Sequence, residues 1–305
     1  MARPSYSTLF ESGELQKRTD AAYSLLENCS VCPRRCGVNR LAGEKGYCRG
    51  GLLPKISSYG PHSGEEPPLV GQHGSGTIFF SGCNMRCIFC QNYEISQLDI
   101  GREITCEELA SVMLALQDRK CHNINLVSPT HFVPQILEAV LIAAGRGLHI
   151  PLVYNTGTYD SVETLLLLDG VVDIYLPDAK YGSDKVVLAL SDAPDYAGVM
   201  SAAMKEMHRQ VGDLVVDDGV ASRGMIIRHL VLPDNLAESE IVMKFIADEI
   251  SRDAYVNIMD QYRPCGKVVS GTGVEYIDSL KRGITREEYR YAVRCAIENG
   301  LKRGF

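Results

Sequence analysis

The stretch GTIFFSGCNMRCIFCQNYEIS, residues 76–96, joins a run of strand-forming residues to three closely spaced cysteines. β-Branched and aromatic residues fill positions 77–80, and Cys83, Cys87 and Cys90 follow with the spacing C-x-x-x-C-x-x-C. Thiolates are soft ligands that suit Zn, Cu(I) and iron–sulfur clusters. Because no fourth cysteine is close by, the spacing predicts a metal site with three protein ligands on one short loop.

The absence of a fourth cysteine nearby helps to distinguish a structural zinc site from an iron–sulfur cluster. A closed structural zinc site takes four ligands, so this loop would have to obtain its fourth from a distant part of the chain. A [4Fe–4S] cluster on three thiolates leaves one iron open to a substrate or cofactor. Gly82 permits a tight turn before Cys83, and Phe89 places an apolar ring beside the metal. The alternatives are a zinc knuckle and a conventional electron-transfer cluster.

Outward from this loop, short β-rich runs alternate with longer segments of helical periodicity. The predicted strands are 77–82, 123–128, 151–156, 171–177, 225–233 and 255–262. Apolar residues at helical spacing fill 106–119, 133–147 and 237–251, and a terminal helix is predicted from Thr285, which has Glu288 at capping-box spacing, to Gly300. Strands with helical crossovers predict an α/β fold with a parallel sheet, either flat or curled into a barrel.

A second group of cysteines precedes this pattern. Cys29, Cys32, Cys36 and Cys48 lie within twenty residues, a set that predicts one closed metal site, either zinc or a second cluster. A connector rich in Gly and Pro follows at 64–76. We therefore predict three regions: an N-terminal segment with a four-cysteine metal site (1–63), the connector (64–76) and the main fold (77–305).

Composition excludes several classes of function. The formal net charge is −7 without a basic block, which disfavours nucleic acid as a partner. No apolar stretch reaches the ~20 residues of a membrane helix, and the first twenty residues have no signal-peptide core. We expect a cytoplasmic protein, in which 11 cysteines favour metal binding or catalysis over disulfides.

The three-cysteine motif, with an aromatic residue before its third cysteine and a strand before the loop, resembles the signature of the radical S-adenosylmethionine (SAM) superfamily. The surrounding sequence is similar to the branch related to pyruvate formate-lyase activating enzymes. The resemblance implies a partial (β/α)6 barrel with an N-terminal cysteine-rich extension. It also implies a [4Fe–4S] cluster on Cys83, Cys87 and Cys90, SAM on the open iron, and a flavodoxin-like or ferredoxin-like electron donor.

In this superfamily, one electron from the cluster cleaves SAM to a 5′-deoxyadenosyl radical, which abstracts hydrogen from the substrate. The resemblance also implies that residues at the carboxyl ends of the other strands contact the cofactor. The expected residues are Phe89, Ser128, Thr130, His131, Asn155, Asp178, Lys180, Arg228, His229, Asn257, Met259 and Gln261. The family's glycine-rich stretch after the second strand is replaced here by Ser128, Pro129, Thr130 and His131, so that assignment is by position only.

Two questions stay open at the level of sequence. Arg228 and His229 point to opposite faces of one strand, and alternation alone does not say which meets the cofactor, although we slightly favour His229. The substrate is either a glycyl radical enzyme, whose backbone glycine is activated, or a small molecule or other macromolecule. A non-catalytic iron–sulfur or zinc protein that carries electrons is the alternative from a different class.

Overall fold

A computed structural model describes residues 3–271 and 275–305. The strands are β1 (Lys55–His62), β2 (Ser75–Phe80), β3 (Arg102–Glu103), β4 (Ile124–Val127), β5 (Leu152–Thr156), β6 (Ile174–Pro177), β7 (Val215–Asp217), β8 (Val220–Leu230) and β9 (Tyr255–Met259). The helices are α1 (Tyr6–Glu11), α2 (Glu14–Ser24), α3 (Pro67–Val70), α4 (Tyr93–Ser96), α5 (Cys106–Asp118), α6 (Val133–Gly145), α7 (Val162–Leu167), α8 (Val187–Ser191), α9 (Tyr196–Val211), α10 (Ser239–Phe245), α11 (Lys267–Ser270), α12 (Ile277–Leu280) and α13 (Arg286–Glu298). A π-helical turn (Ile246–Ile250) continues α10.

Six strands form the parallel sheet that the sequence predicts. Their order is β2, β4, β5, β6, β8, β9, and each neighbouring pair is parallel. β1 and β3 extend the β2 edge and β7 pairs with β8, all three antiparallel. The α/β fold with a mostly parallel, open sheet is therefore confirmed, and it is compatible with a partial barrel.

Two apolar layers hold the sheet. One face packs against the flanking helices, among them α5 and α6, and α2 packs on α6 in turn. The other face encloses a smaller core, which contains Leu69, Val153, Ile174, Leu176, Leu214, Ala221 and Ile226. Because side chains alternate along a strand, the residues two positions beyond these lie on the same inner face, nearer the carboxyl ends of the strands.

Capping explains where two of the helices begin. Thr105 precedes α5 and Thr285 precedes α13, and each accepts a hydrogen bond from the backbone N–H three residues later. The glutamate at that third position, Glu108 or Glu288, bonds back to the amide of the cap. The predicted start of the terminal helix is confirmed, because a capping box satisfies amides that have no partner inside the helix.

The predicted N-terminal segment and connector are joined to the main sheet. β1 belongs to residues 1–63 and pairs with β2, and α3 lies inside residues 64–76. Near the amino terminus, the Tyr6 hydroxyl donates a hydrogen bond of 3.0 Å to the Ile150 carbonyl. The boundaries at 63 and 77 stay a prediction.

Candidate functional site

A cavity of about 360 Å³ lies at the carboxyl ends of the parallel strands. Its wall includes Phe79 from β2, Val127 from β4, Asn155 from β5, Asp178 after β6, Leu230 from β8 and Met259 from β9. The active sites of parallel α/β folds gather at this end of the strands. A larger cavity of about 520 Å³ lies at the opposite end, near His122, Pro151 and Val220, and has no cysteine in its wall. We therefore take the smaller cavity as the candidate site.

The three thiols of residues 83–90 line this cavity together. Gly82 opens the loop with φ near 80°, a left-handed conformation that favours glycine. A Cβ atom at Gly82 would lie 2.3 Å from the Cys48 carbonyl oxygen, so any larger residue would collide with backbone. The amides of Arg86 and Ile88 donate to the carbonyls of Ser191 and Leu190, and this fastens the loop to α8.

Polar groups surround the three sulfur atoms. The amide of Met85 lies 3.4 Å from Cys83 Sγ, and the Ser191 hydroxyl donates to Cys87 Sγ over 3.0 Å. Cys90 Sγ lies 3.3 Å from Ser96 Oγ. Hydrogen bonds of this kind orient metal ligands and tune their basicity.

Burial raises the pKa of all three loop thiols above the ordinary value, to about 12 for Cys83. The positive charge of Lys180 opposes the rise at each thiol. As they stand, no three His, Cys, Asp or Glu side chains of the described residues are arranged so that they could hold a metal ion. Metal binding would have to displace three thiol protons and draw the sulfur atoms together.

A buried group of charges crosses the middle of the cavity. Lys180 Nζ lies 2.6 Å from Asp178 Oδ2, and Arg228 Nη2 lies 2.8 Å from Asp178 Oδ1. Arg228 also donates to Asn155 Oδ1 over 2.6 Å. Burial raises the pKa of the Asp178 carboxyl, but the charges of Arg228 and Lys180 outweigh it and hold the pKa below its usual value.

Eight of the predicted cofactor contacts lie in the cavity wall: Phe89, Ser128, Asn155, Asp178, Lys180, Arg228, Met259 and Gln261. Ser128 has φ near 57°, an uncommon backbone conformation for a residue other than glycine. Such strained conformations cluster at functional sites. The residue that replaces the family's glycine-rich stretch thus turns sharply at the cavity wall.

Four predicted contacts lie elsewhere. Beyond Ser128 the chain enters a short 3₁₀ helix (Thr130–Phe132) and leaves the cavity. The Thr130 hydroxyl donates to Asp160 Oδ1, and His131 Nε2 lies 2.9 Å from the Ser81 carbonyl oxygen. Asn257 donates to Glu66 Oε1 over 3.2 Å, deeper in the barrel. The sequence predicted that Thr130 and His131 follow the end of a strand, but it did not predict the 3₁₀ helix that turns them away from the cavity.

The structure places Arg228, rather than the slightly favoured His229, in the wall of the cavity. Arg228 points into the cavity, whereas His229 lies on the opposite face of β8 and is fully buried. Its Nδ1 lies 2.7 Å from the Ala179 carbonyl oxygen and its Nε2 lies 2.8 Å from Ser239 Oγ. Burial lowers the pKa of His229 to about 4, although the Ala179 carbonyl and the carboxylates of Glu240 and Asp178 raise it.

We expect His229 to make stability depend on pH. Between its unfolded value near 6.5 and about 4, the unfolded chain binds a proton that the folded chain does not bind. The free energy of unfolding should therefore fall as the pH is lowered through this range, by about 3 kcal/mol from this residue. Denaturant unfolding from pH 7 to pH 4 should show a smaller fall in His229→Asn than in the wild type.

His149→Asn is the matched control for that measurement, because His149 is exposed. It should keep the pH dependence of the wild type. An unchanged pH dependence in His229→Asn would contradict the placement of a neutral, buried imidazole. His131 is also buried with a lowered pKa. The contribution of His229 is therefore the difference between variant and wild type in the pH dependence of the free energy of unfolding, and not the total pH dependence of either protein.

Eight further residues, which were not among the expected cofactor contacts, belong to the cavity wall. They are His62, Glu65, Met85, Gln91, Asn92, Ser96, Thr156 and Gly157. Glu65 lies in the predicted connector, residues 64–76. Burial raises the pKa of its carboxyl, although the charge of Arg228 opposes the rise. Two polar groups nearby, the Asn125 amide and Glu66 Oε2, are buried without a hydrogen-bond partner. No local pattern marks residues that reach the barrel interior from a loop.

The N-terminal cysteines lie on the outer side of the same loop. Cys29, Cys32 and Cys48 are buried and Cys36 is exposed. Burial raises the pKa of the Cys32 thiol to about 12, with a contribution from the Cys48 thiol. Burial raises the pKa of the Cys48 thiol, and the thiols of Cys29 and Cys36 contribute to that rise. The thiols are therefore close enough to affect one another's pKa, and the metal site that their spacing predicts stays a prediction.

Comparison with known proteins agrees with this arrangement. The sequence model of the Radical SAM superfamily matches residues 77–246. Two proteins of Methanocaldococcus jannaschii are similar over most of the chain. "Uncharacterized protein MJ0674" is 36% identical over 94% of this chain and 79% of its own length. "Uncharacterized protein MJ0808" is 25% identical over 90% of this chain and 79% of its own.

A shorter stretch is similar to an enzyme. The "Pyruvate formate-lyase-activating enzyme" of Clostridium pasteurianum is 30% identical over 120 residues, which are 35% of this chain and 50% of that enzyme. The described residues contain no helix with the length and apolar character that crossing a membrane requires.

Proposed function

The chain belongs to the radical SAM superfamily, and on that premise we propose that Cys83, Cys87 and Cys90 are the ligands of its catalytic cluster. Members of the superfamily use a [4Fe–4S] cluster and SAM, and they are enzymes that generally carry out redox reactions. They also need a reductant. We propose a flavodoxin-like or ferredoxin-like protein as the donor here.

One observation carries the assignment of the ligands: three thiols line the same cavity at the carboxyl ends of the strands. Thiols are the donors that iron–sulfur clusters require, so the residues present fit the group. With three protein ligands, one iron would keep an open position. Held by Cys83, Cys87 and Cys90, the cluster would supply the electron for reductive cleavage of the S–C5′ bond of SAM.

The charges of the cavity suit a zwitterionic cofactor. The positive charge of Lys180 opposes the rise that burial causes in the pKa of Cys87, so it would offset the negative charge that deprotonated ligands bring. Arg228 and Asp178 form the next layer and are held rigid by their mutual ion pair. We propose that Asp178 and Asn155 orient the sugar or amino-acid part of SAM, and that Met259 and Phe89 contact its apolar surfaces.

A non-catalytic electron carrier is the less suitable alternative. Such a protein needs a closed cluster and has no use for a cavity beside it. Here the thiols open onto about 360 Å³ of space that also holds buried charges. Buried charges are costly unless they are paired, and they concentrate at functional sites. The cavity therefore favours catalysis.

For the substrate, we propose a glycyl radical enzyme, in which the radical abstracts hydrogen from a backbone glycine. The partial likeness to a pyruvate formate-lyase-activating enzyme favours this choice. The alternative is a small molecule or another macromolecule. In either case the hydrogen acceptor is the 5′ carbon of the deoxyadenosyl group, so the origin of that hydrogen identifies the substrate.

Deuterium transfer tests the proposed substrate. The reconstituted, reduced chain is mixed with SAM and a glycyl radical enzyme produced with deuterated glycine. We expect deuterium in 5′-deoxyadenosine and an organic radical signal on the partner, measured by mass spectrometry and electron paramagnetic resonance. SAM cleavage without deuterium transfer and without a protein radical would overturn glycine activation of that partner. The cleavage activity itself would be unaffected.

A further inference from the structure

We propose that Cys29, Cys32, Cys36 and Cys48 bind one zinc ion in a closed four-thiolate site, and that this site holds the three-cysteine loop in place. The zinc site is independent of the proposed function. Its effect on the loop rests on the assignment of Cys83, Cys87 and Cys90 as cluster ligands. The two parts therefore have separate tests.

Four free thiols lie in one short segment, residues 29–48, that has little regular structure. The segment folds back on itself, because the amide of Cys29 donates to the Val38 carbonyl and the amide of Gly37 donates to the Cys29 carbonyl. The backbone of Gly46 packs directly on Cys36, since a Cβ atom there would lie 2.4 Å from Cys36 Sγ. Chain this short and irregular has few apolar contacts of its own to hold this shape.

Backbone amides approach two of these sulfur atoms in the same way as in the catalytic loop. The amide of Gly50 lies 3.4 Å from Cys48 Sγ, and the amide of Arg34 is hydrogen-bonded to the Cys32 thiol. In both cases, as at Cys83 with Met85, the donor is two residues beyond the cysteine. Such N–H···S contacts surround the metal ligands of thiolate sites.

The burial of three of the four thiols favours a single zinc ion over a second cluster. The catalytic loop faces a cavity of about 360 Å³, which suits a cluster and a cofactor. Among the described residues, the cavities of about 520, 450 and 360 Å³ have none of the four N-terminal cysteines in their walls. Cys29, Cys32 and Cys48 are each only 5 to 6% exposed. A single tetrahedral ion needs far less room than a cluster of eight atoms.

Within residues 3–271 and 275–305, the thiols are not preset for a metal ion. The same is true of Cys83, Cys87 and Cys90, in a chain whose superfamily uses a cluster. An arrangement of protonated side chains therefore does not argue against the site. Deprotonation and small side-chain rotations accompany metal binding.

The zinc site and the catalytic loop share a tight boundary. The Cys48 carbonyl oxygen lies against Gly82, directly before Cys83. Arg34, between two N-terminal cysteines, donates from Nε to the Asn84 carbonyl oxygen over 2.9 Å. The Tyr47 ring lies between two guanidinium groups, 3.6 Å from Arg34 Cζ and 4.1 Å from Arg86 Cζ. Loss of the zinc would release the contacts that Cys48, Arg34 and Tyr47 make with the three-cysteine loop.

Metal analysis tests the zinc site in the full chain. We expect about one zinc per chain in the wild type and in the variant with Cys83, Cys87 and Cys90 all changed to alanine. Cys29→Ala and Cys48→Ala should lose it. Cys121→Ala is the matched control, because Cys121 is buried at the other end of the barrel and should keep the zinc. Iron in place of zinc in the triple variant, or no metal in it, would overturn the proposal.

A measurement on the wild type guards against variants that fail to fold. Zinc K-edge absorption should show four sulfur ligands at about 2.3 Å. A spectrum with nitrogen or oxygen ligands would contradict a four-cysteine site. Neither result depends on SAM cleavage, so failure of the zinc proposal is distinguishable from failure of the proposed function.

Arg34→Ala tests the effect on the loop. It should keep its zinc but bind iron at the catalytic loop about 10 to 100-fold less tightly, the range expected when a supporting contact of a metal ligand is lost. Arg35→Ala is the matched control, because Arg35 pairs with Glu163 at the surface. The change that SAM causes in the spin-resonance spectrum of the reduced cluster should differ in Arg34→Ala only. Wild-type iron affinity and spectra in Arg34→Ala would refute the supporting role.

Discussion

Replacing any one of Cys83, Cys87 or Cys90 with alanine is expected to abolish the formation of 5′-deoxyadenosine from SAM. All three thiols line one cavity, and a cluster that lost one of them would have two protein ligands. Loss of a mere supporting contact already costs about 10 to 100-fold in metal affinity or activity, so loss of a ligand should cost more than 100-fold. The nucleoside is quantified after anaerobic reconstitution and reduction.

Cys295→Ala is the control for these three variants. Cys295 is a buried thiol on α13, where it packs in the apolar core. Its replacement removes a cysteine without touching the cavity, so iron content and cleavage should match those of the wild type. Full cleavage by a variant of Cys83, Cys87 or Cys90 would remove that residue from the ligand set.

Asp178→Ala is expected to lower the free energy of unfolding by about 3 to 5 kcal/mol. Asp178 is the carboxylate between Lys180 and Arg228, with contacts of 2.6 and 2.8 Å. Its removal leaves Lys180 without its carboxylate and leaves Arg228 with only Glu66, 3.7 Å away. An uncompensated charge that is mostly buried is strongly destabilising. Denaturant unfolding of the metal-free chain measures the change separately from any effect on the cofactor.

The comparison for Asp178 is a carboxylate in an exposed ion pair. Asp248 pairs with Lys244 one turn away at the surface. Because solvent screens such pairs, Asp248→Ala should lower the free energy of unfolding far less than Asp178→Ala does. If the two variants were equally stable, the buried charges would not form the network described.

The sequence predicted the features that depend on local spacing. The three loop cysteines, the six parallel strands and the capping box of Thr285 all follow from patterns that span a few residues. The β7–β8 hairpin was missed although it carries a local signal, Asp218-Gly219. Both residues have positive φ, and Asp-Gly is a typical pair for such a two-residue turn. Its polar surroundings instead suggested a loop.

Other features depend on contacts between distant residues. Alternation put Arg228 and His229 on opposite faces, but β8 is buried on both faces, so polarity did not identify the inner one. Glu65 reaches the cavity from a loop rich in Gly and Pro, and only the path of the chain shows this. β1 contains Gly60 and Pro61 and lacks an apolar alternation, so pairing with β2 defines it as a strand.

The most direct test of the central claim is the reaction of SAM with the wild-type chain after anaerobic reconstitution with iron and sulfide. With a strong reductant, we predict methionine and 5′-deoxyadenosine in equal amounts, and neither product without the reductant. A chain with intact cluster spectra that cleaves no SAM under any reductant would contradict the account.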